Sequence, residues 1–353
     1  MGHRRVLTLG ALAAAIAVIS LAAVTVRGQT AAKESAATGK AWTAPRAADG
    51  HPDLSGVWSH NSATPLERPL ELAGRAFLTD QELAAMKRAA AELFNGKGDA
   101  AFGDSVYLAA LKNVLGKEKG FTSRDVGTGD YNSFWIVDRE FDNRTSLITD
   151  PPDGRLPPFT PEAEKQRADA AEHRRLHPFD GPEDIALGER CITGSVPMLG
   201  AGYNNYYQIA QTPEFIGIDM EMRHDLRMIP LDGRPHVPSD VRFWLGDPRG
   251  KWEGDTLVVD TTNFRDDSTR GSSKTHLIER FTRVSPDTIL YRFTVDDATA
   301  FTRVWTGEVS MMRTPGPIYE YACHEGNYSM LNMLRGARAG EKAAVESVRT
   351  EGK

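Results

Sequence analysis

Apolar positions along this chain repeat at two periods, and the change from one to the other divides it. Between Thr79 and Gly116 the period is helical. Thr79 and Glu82 make a capping box, and Leu83, Met86, Ala90, Leu93 and Phe94 follow on one helix face until Gly96 stops the run. Asp104 is placed to cap a second helix carrying Tyr107, Leu108, Leu111, Val114 and Leu115, closed by Gly116. Thr160-Pro161 opens a third helix reaching about Leu176, so polar that most of its surface is expected in water. From Tyr203 onward apolar and polar residues alternate as in half-buried strands, in runs at 206–211, 215–222, 227–230, 256–262, 276–284, 288–295, 301–312 and 318–323. Pro- and Gly-containing turn signals separate the runs, among them Asp247-Pro-Arg-Gly250 and the hairpin turn Trp252-Glu-Gly-Asp-Thr256, with Gly254 taking the positive φ.

Short strands joined by tight turns predict a mainly β fold. Its simplest closed form is an antiparallel up-and-down barrel, which also removes exposed sheet edges. Asp53-Leu-Ser-Gly-Val-Trp58 reads as a short strand entering from a turn, and Ser133–Val137 and Thr145–Ile148 are strand-like. The segment from about 78 to 176 is then a helical insertion, and Met330, Leu331, Met333 and Leu334 behind a Ser329 cap predict a C-terminal helix. The reading is one barrel-centred domain over 51–345 with a tail at 346–353; two domains are the alternative.

The first residues follow another pattern. Arg4 and Arg5 precede an apolar run from Val6 to Val26, and small residues at Val26 and Gly28 follow, which is the layout of a signal peptide over 1–28. An uncleaved membrane anchor is the competing reading, because the run approaches the roughly 20 residues a spanning helix needs. With cleavage, no stable membrane span remains and the mature chain is periplasmic or secreted. Residues 29–50 have almost nothing to bury and are expected to be a disordered leader.

Composition narrows the function. With 42 Lys and Arg against 48 Asp and Glu, the net charge is −6, and no basic run interleaved with aromatics follows the leader, so nucleic-acid binding is not expected. The two cysteines, Cys191 and Cys323, sit in a chain addressed to an oxidising compartment and are expected to form a disulfide, with two separate buried thiols as the alternative.

Four segments carry a resemblance. Tyr203–Gln208, Met222–His236, Trp252–Phe264 (WEGDTLVVDTTNF) and Tyr319–Tyr328 (YEYACHEGNY) resemble a family of exported bacterial proteins to which no activity is assigned; the similarity covers most of the chain after His51. It implies export and adds little chemistry. Gly56-Val-Trp58 is also similar to the first-strand Gly-x-Trp of lipocalin-like (calycin) barrels, where the Trp plugs one end. The long helical insertion departs from that pattern.

Candidate chemistry concentrates at Glu221-Met-Arg-His224-Asp225-Leu-Arg227. Alternation places Ile216, Ile218, Met220, Met222 and His224 on one face and Asp219 and Glu221 on the other. If the apolar face is inward, His224 sits at the mouth of an apolar cavity; if the other is, the carboxylates are buried and need arginine partners. A surface ion network at a strand end is the plain alternative. His324 follows Cys323, so a disulfide brings it and Glu325 towards Cys191. His224, His236, His276 and His324 leave a transition-metal site open, though none has the close spacing of a preformed site. Tyr203, Asn204 and Asn205 offer hydroxyl and amide groups to a ligand. No nucleophile elbow, Walker loop or dinucleotide fingerprint occurs, so no nucleotide cofactor is expected.

Two functions follow. One is an isomerase-, lyase- or hydratase-type enzyme with His224, Glu221, Asp225 and His324 as acid and base and Arg227 as anion stabiliser. The other is a carrier of an apolar or amphipathic small molecule, with Met220 and Met222 lining the cavity and His276, Tyr203 and the asparagines orienting the ligand. Oligomeric state is not legible.

Overall fold

A computed structural model of the chain describes residues 42–95, 101, 103–121, 138–194, 196–200, 202–266 and 272–351. The expected signal peptide, the leader up to Ala41 and the Ser133–Val137 strand lie outside the described residues. Ten strands are described: β1 (Gly56–Ser59), β2 (Ile148–Asp150), β3 (Tyr206–Gln211), β4 (Phe215–Met220), β5 (Asp225–Pro230), β6 (Asp247–Glu253), β7 (Thr256–Thr262), β8 (His276–Ser285), β9 (Thr288–Asp296) and β10 (Trp305–Thr314). Four helices accompany them: α1 (Asp80–Leu93), α2 (Ser105–Val114), α3 (Pro161–Leu176) and α4 (Tyr328–Glu351).

Hydrogen bonds run in the order β5-β4-β3-β1-β10-β9-β8-β7-β6, with the short β2 on β10, and every ladder is antiparallel. This is the expected mainly β, nearly closed barrel. Nine strands form the ring, and an odd number cannot close with every neighbour antiparallel. The mismatch falls between β5 and β6, which run in the same direction and share no ladder. They touch near one end, where Gly250 has no side chain: a Cβ there would stand 2.6 Å from Leu231 Cδ2 and 2.9 Å from Ile229 Cγ2. The connection 231–246 returns along the barrel between them. It is held by Asn263, whose Nδ2 lies 3.1, 3.0 and 3.0 Å from the carbonyl oxygens of Val237, Pro238 and Val241.

Side chains fill the interior. Ile216, Ile218 and Ile229 meet Phe281, Tyr291 and Phe293 at the centre, all fully buried. At one end Trp58 is sealed in: its Nε1 donates to Leu54 O (2.9 Å), and Arg283 and Arg313 lie over its ring at 5.5 and 5.4 Å. Val196 and Met198, both buried, close the opposite end. Between them lies a buried polar group. Arg227 grips Glu279 through two bonds (2.9 and 2.5 Å), Tyr291 Oη donates to the same carboxylate (2.8 Å), and Met198 N donates to Tyr291 Oη (3.1 Å).

Several elements differ from the sequence reading, each for a local reason. Residues 42–50 are ordered: Ala44 is buried, Arg46 pairs with Asp255, and Gln211 Nε2 donates to Asp49, so the leader ends earlier than expected. Asp247-Pro-Arg-Gly250 is strand β6 and not a turn, because Pro248 needs no ladder partner on the open side of an edge strand. Ile318–Cys323 is not a strand; Pro315 and Pro317 cannot donate, and Tyr319 is exposed. The strand expected at Thr145–Ile148 begins only at Ile148. The Thr79–Glu82 capping box forms, whereas Asp104 makes no capping bond. Asn327, not Ser329, caps α4 by accepting from Met330 N at 3.3 Å. That helix continues through the expected tail to Glu351.

Candidate functional site

The strand-end group is built by a break in the alternation. β4 ends at Met220, and the chain turns through Met222–His224 with Arg223 and His224 in left-handed backbone, φ +66° and +41°. The face shared by Ile216, Ile218 and Met220 therefore does not extend to Met222 and His224, which is a correction to the period-two reading. Met220 is core, Met222 is half-buried, and His224 is exposed with Nδ1 3.0 Å from Tyr321 O.

Glu221 goes inward, 3 % exposed. Its Oε1 accepts from Tyr319 N at 3.2 Å, and Oε2 has no hydrogen-bond partner among the described residues. Burial pushes its carboxyl above the ordinary range, against the bonds from the Tyr319 and Tyr206 backbone and the Asn204 side chain. Tyr203 hydrogen-bonds Tyr321. Asn205 is buried, with Nδ2 3.4 Å from Asn61 Oδ1, so it fastens the loop and does not face a ligand. Cys191 and Cys323 form the expected disulfide, which ties residues 191–194 to the approach to α4. His324, beside it, is exposed.

Arg227 and His276 stand apart from this group. Arg227 is inside the barrel, committed to Glu279. His276 Nε2 lies 2.9 Å from Asp260 Oδ1 but out of line for a hydrogen bond. Asp260 also meets His236 Nε2 at 3.1 Å, and His236 Nδ1 meets Asp247 at 3.2 Å. The partners of His224 and of His276 thus share no residue. Among the described residues no group of three His, Cys, Asp or Glu side chains is placed to hold a metal ion.

An open volume lies elsewhere, on the barrel's flank. Where β5 and β6 diverge, a cleft of about 390 Å³ opens between the outer face of β5, residues 192–193 and the segment 243–248. Its walls expose apolar surface that water would otherwise exclude: Leu226 is 59 % exposed, Met228 50 % and Phe243 42 %. Trp244 joins them, with the Arg265 guanidinium 4.1 Å from its ring centre. Asp225 lines the cleft and accepts from Gly194 N (2.6 Å) and Thr193 Oγ1 (3.0 Å), both at Oδ2. Burial pushes the Asp225 carboxyl up, although those two bonds and the charges of Arg223 and His224 pull it down. Among the described residues the left-handed non-glycine positions are Cys191, Asn204, Arg223, His224 and Asn263. Cys191 leads into the 192–193 wall, His224 leads into Asp225, and Asn263 clamps the connection that carries Phe243. Strain of this kind persists only where the surroundings impose it, and it gathers here around one opening.

No sequence signal marked the cleft, since it arises from the β5–β6 mismatch. Trp244 and Phe243 were the available hint, aromatic residues in a turn-rich segment.

A buried histidine beside Met198 is expected to make stability depend on pH. His60, 2 % exposed, has Nδ1 3.0 Å from Met198 O. Burial lowers its pKa to about 4, against the Met198 carbonyl and with the Arg139 charge. Its unfolded value is near 6.5, so below that pH the unfolded chain takes up a proton that the fold refuses, and stability falls until about pH 4. Between pH 7 and pH 5 the loss is about 2 kcal/mol. Urea unfolding at the two pH values should show that loss in the parent and a clearly smaller one in His60→Gln; equal losses would assign the pH dependence to other groups.

Among the described residues no helix is long and apolar enough to cross a membrane. No family model, no curated protein and no solved structure matches the chain.

Proposed function

We propose that this is an exported small-molecule binding protein, periplasmic or secreted, that takes an amphipathic ligand in the cleft beside β5. The observation that carries the reading is the cleft itself, with exposed aliphatic and aromatic walls converging on one half-buried carboxylate. Ligand sites are concave, mostly apolar and furnished with few polar groups, which is the composition found here. The buried side chains clustered in the barrel interior support a site on the flank over one of the lipocalin kind. Met220 and Met222 accordingly have no lining role in this reading.

An acid–base enzyme is the second reading. It is favoured by the raised carboxyls of Glu221 and Asp225 and by the strained backbone around them. Asp225 is then the group that meets substrate, because Glu221 has almost no exposed surface.

Titration with the neutral fluorophore N-phenyl-1-naphthylamine tests the binding reading. Saturable one-to-one binding is expected, with affinity reduced about tenfold in Phe243→Ala through lost apolar contact. Binding that Phe243→Ala and Met228→Ser leave untouched would place the probe elsewhere and remove the basis for the cleft.

A further inference from the structure

We infer that the cleft selects amphipathic cations, an ammonium group meeting Asp225 while its apolar body lies against Leu226, Met228 and Phe243. This rests on the binding reading and specifies its ligand. The polar chemistry of the cleft is one-sided. Its two acidic residues are Asp225 and Asp247. Asp247 is already served by Arg249, His236 and the Val237 N–H. Asp225 is not, since both of its donors reach Oδ2 and Oδ1 carries no hydrogen bond among the described residues.

Two arginines of the neighbourhood are turned to other partners. Arg227, whose backbone lines the cleft wall, sends its side chain inward to Glu279. Arg249 donates to Pro235 O and Pro248 O besides Asp247. Arg223 donates through Nε to Gly188 O, and its charge, with that of His224, reaches Asp225 without a hydrogen bond. An anionic head entering here meets the Asp225 carboxylate, and the guanidinium at the wall, Arg265, already lies over the Trp244 ring. A cationic head meets an open carboxylate oxygen in a partly desolvated setting, where a charge-assisted hydrogen bond is at its strongest. Trp244 is consistent with the same preference, for its ring already carries one cation in Arg265.

The test compares three probes of equal chain length, octylammonium, octanol and octanoate, by calorimetric titration of the whole mature protein at low ionic strength. Octylammonium is expected to bind about tenfold more tightly than octanol, and octanoate more weakly than both. Asp225→Asn, which keeps an acceptor for Thr193 and Gly194, should erase the preference, bringing octylammonium to the affinity of octanol. Met228→Ser should weaken all three and preserve the ratio. If Asp225→Asn is poorly folded, the ratio in the parent decides instead, since it should shrink as salt is raised. Equal affinities for octylammonium and octanol would overturn the charge selection while leaving the cleft as a binding site. Failure of all three to bind would overturn the selection together with the binding reading.

Discussion

Replacing Arg227 with Met is expected to destabilise the protein by about 3 to 5 kcal/mol, the largest effect of any single substitution considered. The arginine and Glu279 are both essentially without solvent contact, at the centre of a barrel otherwise filled by aliphatic and aromatic side chains. Removing the guanidinium strands a carboxylate that, among the described residues, retains only the Tyr291 hydroxyl as a donor. That hydroxyl resists ionisation strongly, through burial first and the Glu279 charge second, so it can share a proton but cannot neutralise the site. The double variant Arg227→Met/Glu279→Leu should recover much of the loss, because an apolar pair of similar volume avoids the cost of burying two charges. In thermal unfolding the single variant should fall by on the order of 10 °C. A double variant no more stable than Arg227→Met would mean that the pair holds the barrel by geometry and not by mutual neutralisation.

Arg227 also shows how far the sequence could be read. Strand alternation put it on the face of Ile229, and Glu279 on the face of Leu277 and Phe281, so both positions had the parity of core residues. Taken with its neighbours His224 and Asp225, Arg227 read as the anion stabiliser of a strand-end cluster. Parity was the better guide, because it is fixed by the pleat, whereas closeness in sequence says nothing about direction. His224 fails for the opposite reason. Its alternation was intact on paper, but the strand ends at Met220 and the chain turns through Met222–His224 with Arg223 and His224 left-handed, and φ signs of non-glycine residues cannot be read from composition. The strands themselves were legible wherever a tight turn adjoined an alternating run, as at β3, β7, β8 and β9. β6 was hidden by Pro248, which signals a turn in a central strand and is tolerated at an edge. That edge exists only because nine strands close imperfectly, a property of the whole ring and of no local segment. The cleft inherits the same illegibility, since its walls come from β5, from residues 192–193 and from the connection 231–246, which meet only after the ring has formed.

Reducing or removing the Cys191–Cys323 bridge should cost about 4 to 5 kcal/mol in the chain-entropy account, because the bond closes a loop spanning 132 residues. That loop contains β3 to β10, so the cross-link constrains the unfolded chain across nearly all of the barrel. Little of the effect needs to come from contacts in the fold, where Asn327 Nδ2 reaches Cys191 Sγ at 3.4 Å and Glu189 O at 2.8 Å. The bridge has a local consequence as well. Cys191 is left-handed, φ +56°, and leads directly into Ile192 and Thr193, the wall that donates to Asp225. Without the bond, that backbone loses one of the restraints that impose its strain, and the wall is expected to move before the ladders do. Two measurements separate the global effect from the local one. The melting temperature of a Cys191→Ala/Cys323→Ala variant should drop by on the order of 10 °C and no longer respond to reductant. Hydrogen exchange under native conditions should quicken first at residues 192–194, while β8 and β9 stay protected. Melting curves that coincide with and without the bond would show that the unfolded chain is already restricted across this span. Unchanged exchange at 192–194 would show that the wall is held by Asp225 alone.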